Sequence, residues 1–227
     1  AIAEQPQYRY SVLSPDQQQP TGVLTIPWNE DASKVAQETG TIRFYFMSGE
    51  MQNLSASAGI KFGDSCLIAF PNGEVMLIDA GMPNYAPTIV ANLQALGVSR
   101  IDHLVLSHMH DDHYGALLAP DGVLAKFTIG TLYWSGIYNE SSTVADRFDT
   151  ALARYDFTER ILSKGDSLDI GAVHLDILNP VAEEIGNRYV ETALNNSSLA
   201  IKFNYDEFTA LFAGDLYTDG EFKLIEA

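Results

Sequence analysis

The sequence predicts a sandwich of β-sheets covered by helices, of the α/β or α+β class. Two pairs of short apolar runs are each joined by a brief polar turn, which is the pattern of β-hairpins. Two longer segments between these pairs carry apolar residues at helical spacing, which indicates amphipathic helices. The 227 residues are enough for one large domain or at most two small ones.

The first part of the chain is predicted to lead from an irregular extension into strands. Residues 1–40 are rich in Gln, Pro, Ser and Asp, which predicts an irregular N-terminal extension. Thr41 to Met47 alternates and is rich in β-forming residues, so we expect a strand there. Ser65–Phe70 and Glu74–Asp79 are apolar runs around Pro71-Asn72-Gly73, and Asn-Gly between such runs predicts a hairpin.

An amphipathic helix is predicted over residues 85–96. Its apolar positions share one face: Tyr85, Ile89, Leu93 and Leu96. Asn84 can cap its start, Pro87 falls in the tolerated first turn, and Gly97 suits its end. A short apolar strand, His103–Ser107, is expected to follow.

The second half is predicted to contain one strand and one helix before further strands. The strand is expected over Phe127–Trp134 and the helix over Val144–Leu162. Its inward-facing residues would be Val144, Phe148, Ala151, Leu152 and Tyr155. The remaining predicted strands are Ser167–Ile170, Val173–Leu178, and the pair Leu199–Asn204 and Phe208–Ala213, which forms the second hairpin.

The charge and the residue composition restrict the kinds of molecule that the protein is expected to bind. The formal net charge is -17, from 30 acidic and 13 basic side chains. A field of that sign repels phosphate backbones, so we expect a small-molecule substrate rather than nucleic acid. No run approaches the roughly 20 apolar residues of a membrane span. The single Cys66 excludes an intrachain disulfide and leaves a secreted, periplasmic or cytoplasmic location open, with the start at Ala1 slightly favouring secretion.

The most informative segment holds three of the five histidines and two aspartates within six residues. An apolar strand runs into His108, His110, Asp111, Asp112 and His113. His nitrogen and Asp oxygen together are the donor mixture that divalent zinc favours. His108 and His110 can point to one side of an extended chain, while neighbours at a turn can point to different sides. One loop can therefore serve two metal ions.

His108-x-His110-x-Asp112-His113 resembles the signature of the metallo-β-lactamase superfamily. The resemblance extends to residues 63–68 with residues 75–81, which look like the family's opening hairpin and its Asp-x-Gly turn. It also covers Asn195-Asn196-Ser197-Ser198-Leu199 and Phe212-Ala213-Gly214-Asp215-Leu216. These last segments look most like the branch containing bacterial phosphorylcholine esterases and the metallo domain of competence (DNA-uptake) proteins.

The resemblance implies an αββα sandwich of two facing mixed sheets covered by helices, over residues 41–227, with the site at one edge. It implies one or two zinc ions, with iron or manganese possible, and these ligands: His108 and His110 on a first ion, Asp112 and His113 on a second, and Asp215 between them. Asp112 would also orient the nucleophile, and Asp79 would support the site from outside the ligand set. From the residues alone, Asp215 after Gly214 is equally suited to cap a helix.

The chain departs from the family pattern in two places. Most members carry a third His for the first metal near the position of Asn195 or Asn196, so we expect that metal to be more open here or completed by water. The family also supplies a last His beyond the Gly-Asp motif, whereas no His follows His174. Because Asp219 to Ala227 predicts a helix without a stop signal, we expect the sandwich to be incomplete at the C-terminus.

These features predict a metal-dependent hydrolase of a phosphodiester or a phosphorylated small molecule, because metal-bound water has its pKa lowered toward about 7. A lactamase or thioesterase using the same ions is the alternative among enzymes, and a non-catalytic metal-binding module is the alternative outside them. The sequence has no Gly-x-Ser-x-Gly nucleophile motif, and Cys66 lies in a predicted core strand, which disfavours covalent catalysis.

Four aromatic residues are candidates for lining a pocket that cradles a cationic head group, although core packing is the more common role: Tyr133, Trp134, Tyr138 and Tyr217. The two remaining histidines are predicted to lie outside the metal site. His103 is expected to make a structural hydrogen bond, and His174 to face solvent from an alternating strand.

Overall fold

The computed structural model describes residues 40–47 and 63–225, which fall in the compact unit Asp31–Ala227. Its strands are β1 (Arg43–Phe46), β2 (Cys66–Ala69), β3 (Val75–Ile78), β4 (Arg100–Val105), β5 (Thr128–Trp134), β6 (Tyr138–Asn139), β7 (Thr158–Ile161), β8 (Ser167–Ile170), β9 (Val173–Asn179), β10 (Arg188–Tyr189), β11 (Ala200–Tyr205) and β12 (Phe208–Phe212). Its helices are α1 (Ala86–Ala95), α2 (Asp111–Leu118), α3 (Val123–Lys126), α4 (Ser142–Leu152), α5 (Glu191–Asn195) and α6 (Thr218–Ile225). The predicted extension over residues 1–40 lies outside the described residues except for Gly40.

A six-stranded mixed sheet carries the first half of the chain, in the order β1-β2-β3-β4-β5-β7. The predicted hairpin is confirmed: β2 and β3 pair antiparallel, with Leu67 opposite Leu77. From β3 onward the pairs β3–β4, β4–β5 and β5–β7 are parallel. The carboxyl ends of β3 and β4 therefore meet at one edge of the sheet, where the sequence predicted the site.

A four-stranded sheet in the order β12-β11-β9-β8 carries the second half, and every pair in it is antiparallel. The second predicted hairpin is confirmed, and its turn places Asp206 at a φ of 50°. The outer face of this sheet carries polar side chains: Asp169, His174, Asp176 and Asn204. Strands β6 and β10 form a separate, short parallel sheet.

Two hydrophobic cores define the layers. Alternate residues of β2 point to opposite faces, so Leu67 packs in the core formed with the helices and Ile68 in the core between the sheets. The first core includes Leu93 of α1, and the second includes Phe203 of β11. Helices thus cover one sheet, whose other face packs on the second sheet, which confirms the predicted α/β class.

The predicted helix over residues 144–162 is wrong in its second half. Helix α4 ends at Leu152, and Thr158–Ile161 forms the edge strand β7 beside β5. Tyr155, predicted to face inward, is exposed. A strand forms here because its backbone pairs with β5 and because Glu159 accepts a hydrogen bond from Trp134 Nε1 at 2.6 Å. The spacing of apolar residues that predicted the helix contains no information about these contacts.

Smaller differences concern the element boundaries. A 3-10 turn over Pro83–Tyr85 precedes α1, and Tyr85 rather than Asn84 is the N-cap, without a side-chain cap hydrogen bond. Gly97 ends α1 in the left-handed region, at a φ of 76°, as predicted. Within residues 40–47 and 63–225, no helix has both the length and the apolar composition to cross a membrane.

We expect Phe203→Ala to destabilise the protein strongly. Phe203 is completely buried between the sheets, so the substitution leaves a cavity and should lower the free energy of unfolding by about 3–5 kcal/mol. Denaturant unfolding measures this. Phe222→Ala, at a phenylalanine that is 58% exposed, should change stability by no more than about 0.5 kcal/mol. Equal effects would contradict the core between the sheets.

His174 on β9 should titrate above the ordinary histidine range. Asp169 Oδ1 lies 2.6 Å from its Nδ1 and Asp176 Oδ1 lies 3.1 Å from its Nε2, and these carboxylates raise the pKa of His174. Its stabilising contribution is therefore present below the ordinary value of about 6.5 and is lost as pH rises through the raised folded-state pKa. NMR titration should show Asp169→Asn lowering that pKa, whereas the turn substitution Asp206→Asn should leave it unchanged.

Candidate metal centre

The candidate site begins where β3 and β4 end. Asp79 directly follows β3, and Ser107 and His108 follow β4. The backbone N–H of Asp79 donates to the carbonyl oxygen of Val105 at 2.9 Å, which extends the parallel pairing by one more step. The ends of two adjacent parallel strands thus bring these polar side chains to one edge of the sheet.

Helix α2 starts inside the motif that was predicted to be a loop. His110 is its N-cap, with extended backbone, and its carbonyl oxygen accepts the N–H groups of His113 at 2.9 Å and Tyr114 at 3.1 Å. Asp111 and Asp112 occupy the first turn, where negative charge is favoured by the helix dipole. The loop prediction is wrong from Asp111 onward, because these N-terminal signals start a helix.

The imidazoles of His108 and His110 meet through one nitrogen each. His108 Nε2 lies 2.9 Å from His110 Nδ1. The other nitrogen of His108, Nδ1, lies 3.1 Å from the Ser107 hydroxyl and 3.2 Å from the Ser198 hydroxyl. Two imidazole lone pairs this close repel unless a proton or a cation lies between them. This separation suits either an N–H···N hydrogen bond between the two rings or one cation bound by both nitrogens.

Asp79 fixes the third imidazole. Its Oδ2 lies 2.8 Å from His113 Nδ1 and accepts the Ser107 hydroxyl at 2.6 Å, while its Oδ1 accepts the Ser107 N–H at 2.8 Å. A carboxylate in this position favours the tautomer with hydrogen on Nδ1, which leaves His113 Nε2 free to bind. Asp79 does this from the left-handed region, at a φ of 55°, and is only 2% exposed.

Two carboxylates face the free nitrogen of His113. Asp215 Oδ1 lies 3.4 Å from Nε2 and Asp112 Oδ1 lies 3.9 Å from it. One ligand atom each from His108, His113 and Asp215 lies within 4.8 Å of the other two. Asp215 is also held at its backbone, where its N–H donates to the Ser198 hydroxyl at 3.2 Å. The five predicted ligands are therefore brought together, and we call them the His/Asp cluster.

Charges in the His/Asp cluster are strongly coupled. Burial alone would lower the pKa of His113, but Asp79 and Asp215 outweigh it and raise that pKa. Burial, followed by the neighbouring His113, lowers the pKa of His108. The hydrogen-bonded His113 lowers the pKa of Asp215. The surroundings thus favour neutral His108 and ionised Asp215, which are the forms that bind metals, whereas His113 is held protonated and would release its Nε2 proton when a metal binds.

Asp64 is a neighbour of the cluster that sequence reasoning missed. Its N–H donates to the carbonyl oxygen of Asp112 at 3.0 Å, and Gly63 lies so close that a Cβ there would be 1.9 Å from the same oxygen. Burial raises the pKa of Asp64, and Asp215, Asp79 and Asp112 raise it further. An aspartate directly before an apolar strand was the signal in the sequence, but it has no metal-ligand spacing.

The two asparagines differ in their contacts. Asn196 Oδ1 accepts the backbone N–H of Tyr217 at 2.9 Å, which is a structural role. Asn195 ends α5, is 7% exposed and lies beside His108. Its Oδ1 is buried and makes no hydrogen bond of good geometry within the described residues, although the side chain is close enough to His108 to raise the pKa of that imidazole. An unpaired buried oxygen is costly, so it suits a position facing a cation or a bound water.

The donor set fits a divalent transition-metal ion. It combines imidazole nitrogens with carboxylate oxygens, and an outer carboxylate orients one imidazole. Asp79, Asp112 and Asp215 each disfavour the ionised form of Asp64, and a bound cation would relieve that repulsion.

The remaining histidines and the aromatic residues considered in the sequence analysis lie outside the His/Asp cluster. His103 contacts Tyr133 and Glu74, and His174 faces the outer side of the second sheet. Both positions agree with the prediction that these histidines are not ligands. Tyr133 and Trp134 are core residues, 5% and 2% exposed, so they do not line a pocket for a cationic head group. They have the core role that the sequence analysis named as the more common one. At the end of β5, Tyr133 packs in the core between the sheets and Trp134 packs in the core formed with the helices.

Comparison with known proteins supports the family resemblance for part of the chain. The family model of the metallo-beta-lactamase superfamily matches residues 58–121, which include the first hairpin and the histidine motif. A search of curated proteins finds no match.

Solved structures give distant similarities. A mutant metallo-beta-lactamase from Cronobacter sakazakii has 19% identity and a TM-score of 0.42 over 74% of this chain and 60% of that chain. The metallo-beta-lactamase fold protein YhfI from Bacillus subtilis has 14% identity and a TM-score of 0.44, over 76% of this chain and 61% of that one. The flavodiiron protein from Giardia intestinalis has 15% identity and a TM-score of 0.47, over 75% and 37%. The chain thus spans about three fifths of the first two proteins.

Asp79→Ala should weaken metal binding although Asp79 is not a predicted ligand. Without its carboxylate, His113 loses the partner that orients its ring, and affinity should fall roughly 10- to 100-fold. Competition titration with a zinc-sensitive dye measures the change. Asp102→Asn is the matched control, because Asp102 contacts Arg100 and Val75 outside the cluster. Unchanged affinity in Asp79→Ala would contradict the orienting role.

Proposed function

We propose that this protein is a metal-dependent hydrolase that uses zinc. The observation that carries the proposal is the convergence of three imidazoles and two carboxylates at one sheet edge, with His108 Nε2 and His110 Nδ1 only 2.9 Å apart. Such a donor set, with an outer carboxylate behind it, is typical of sites that bind zinc. Iron or manganese would suit the same donors.

The predicted division of ligands is compatible with the distances. His108 and His110 are proposed to hold one ion, with Asn195 beside them, because their facing nitrogens leave no room for separate partners. His113 and Asp112 are proposed to hold the second, and Asp215 to lie between. Bound ions of this kind activate water at neutral pH and neutralise charge on a phosphoryl or carbonyl oxygen.

This chain's own residues would orient the reactants. Asp112 is proposed to orient the attacking nucleophile by accepting a hydrogen bond from it, because its side chain is 32% exposed. Asp79 and Ser107 hold His113 in one ring orientation and are themselves almost inaccessible. The cluster therefore has a fixed inner wall and an accessible outer carboxylate.

A serine nucleophile does not fit the geometry, although Ser107, His113 and Asp79 lie in contact. The Ser107 hydroxyl donates to Asp79 at 2.6 Å rather than to an imidazole, and Ser107 is 2% exposed. Ser198 is fully buried and accepts the N–H of Asp215. Cys66 is buried and burial raises its pKa, which disfavours the nucleophilic thiolate. Metal-assisted hydrolysis is therefore favoured over covalent catalysis.

The proposed substrate is a phosphodiester or phosphorylated small molecule. Support comes from the pattern of Asn195-Asn196 with Gly214-Asp215, which resembles the phosphorylcholine esterase and competence-protein branch. The net charge of -17 weighs against nucleic acid. A lactamase or thioesterase remains the second candidate, favoured by the lactamase-like superfamily match over residues 58–121. A secreted location stays a sequence-based prediction.

The test is hydrolysis of bis-p-nitrophenyl phosphate by metal-depleted and zinc-reloaded protein. We expect turnover only in the reloaded protein, and at least about a 100-fold loss in His108→Ala, because a ligand is removed. His103→Ala is the matched control, since His103 lies outside the cluster. Metal content measured on the same samples separates two failures. Bound zinc without phosphodiester hydrolysis would contradict the proposed substrate class and leave a lactamase, a thioesterase or a binding module, and no bound metal would contradict the site.

A further inference from the structure

The edge strands of the two sheets face each other through aromatic side chains. Phe44 and Phe46, two residues apart on β1, lie on one face of the strand. The ring of Phe212 on β12 lies 5.7 Å from that of Phe44 and 6.2 Å from that of Phe46, in stacked orientation. Phe208 lies 5.8 Å from Phe44. These rings line a cavity of about 700 Å³, which we call the edge cleft.

The edge cleft borders residues that contact or adjoin the His/Asp cluster. Its inner wall includes Asp64, Asp79, Ser107 and Gly214. Chain connectivity explains this position, because Gly214 directly precedes the predicted ligand Asp215 at the end of β12. A group bound against the rings would therefore lie near a molecule held at the cluster.

The described residues that line the edge cleft are mostly apolar, and no basic side chain is among them. Among its described lining residues, the charged ones are Asp64 and Asp79, and Asp79 is already hydrogen-bonded to Ser107 and His113. Phe46 is 65% exposed, Leu211 54% and Phe208 46%, so the cleft presents water with a large apolar surface. Its volume lies in the range of small-molecule sites, about 300–1,000 Å³.

We propose that the edge cleft binds an uncharged apolar group of the substrate, alkyl or aryl, next to the bond that is hydrolysed. The inference rests on the proposed function, because the cluster would hold the reacting group. Burying the exposed rings favours an apolar occupant, whereas an anionic group would meet the carboxylate of Asp64. The cleft would thus select substrates by their apolar part.

The first experiment measures binding to zinc-loaded protein by calorimetry, with methylphosphonate and benzylphosphonate as probes. Benzylphosphonate should bind about tenfold more tightly in the wild type, as burial of one aromatic ring predicts. Phe46→Ala and Phe208→Ala should reduce that ratio toward one and leave methylphosphonate binding unchanged. Phe222→Ala removes a phenylalanine of similar exposure outside the cleft and should keep the ratio.

A metal-free measurement separates the two hypotheses. The neutral dye prodan should bind the wild type and Phe222→Ala, and several-fold more weakly to Phe46→Ala and Phe208→Ala. Metal-dependent methylphosphonate binding with no preference for benzylphosphonate would overturn the cleft and leave the proposed function standing. Failure of both phosphonates with zinc bound would overturn the proposed function. Dye binding would then decide the cleft: an unchanged signal in Phe46→Ala overturns it, and a lost signal supports an apolar site there.

Discussion

The site depends on one buried carboxylate, that of Asp79. Its two oxygens contact the backbone N–H and hydroxyl of Ser107 and the imidazole of His113, so it joins the ends of β3 and β4 to the first turn of α2. The left-handed backbone at this residue is unfavourable for a side chain larger than glycine, and these hydrogen bonds hold it there. The positions of the three histidines follow from this junction, because α2 is set against the sheet by it.

Much of the fold and site could be predicted because the signals are local. The His108 to His113 motif, both hairpins and the site-supporting role of Asp79 all rest on residues close in sequence or on a recognisable turn. What could not be predicted depends on distant partners. Strand β7 exists through its pairing with β5, and Asp64 reaches the cluster through a backbone bond to Asp112. Neither contact leaves a periodic trace in the sequence.

The described residues that contact the cluster supply carboxylates and hydroxyl groups, and no basic side chain is among them. Asp64, Asp79, Asp112 and Asp215 surround imidazoles whose own charges are set by burial and by each other. Positive charge for an anionic substrate would then come from the bound cations alone. Selectivity for the remainder of a substrate would fall to the shape and apolarity of the adjoining walls, which are built from edge strands rather than from the histidine motif.

Ser198 and its neighbour Leu199 connect the two sheets at the site through hydrogen bonds. The Leu199 N–H donates to the carbonyl oxygen of Ser107 at 2.8 Å, while the Ser198 hydroxyl touches both His108 and the backbone of Asp215. Sliding of one sheet over the other would therefore change the spacing between imidazole and carboxylate directly. The distances between the ligands therefore depend on how the two sheets pack. A substitution deep between the sheets can change these distances without contacting the cluster.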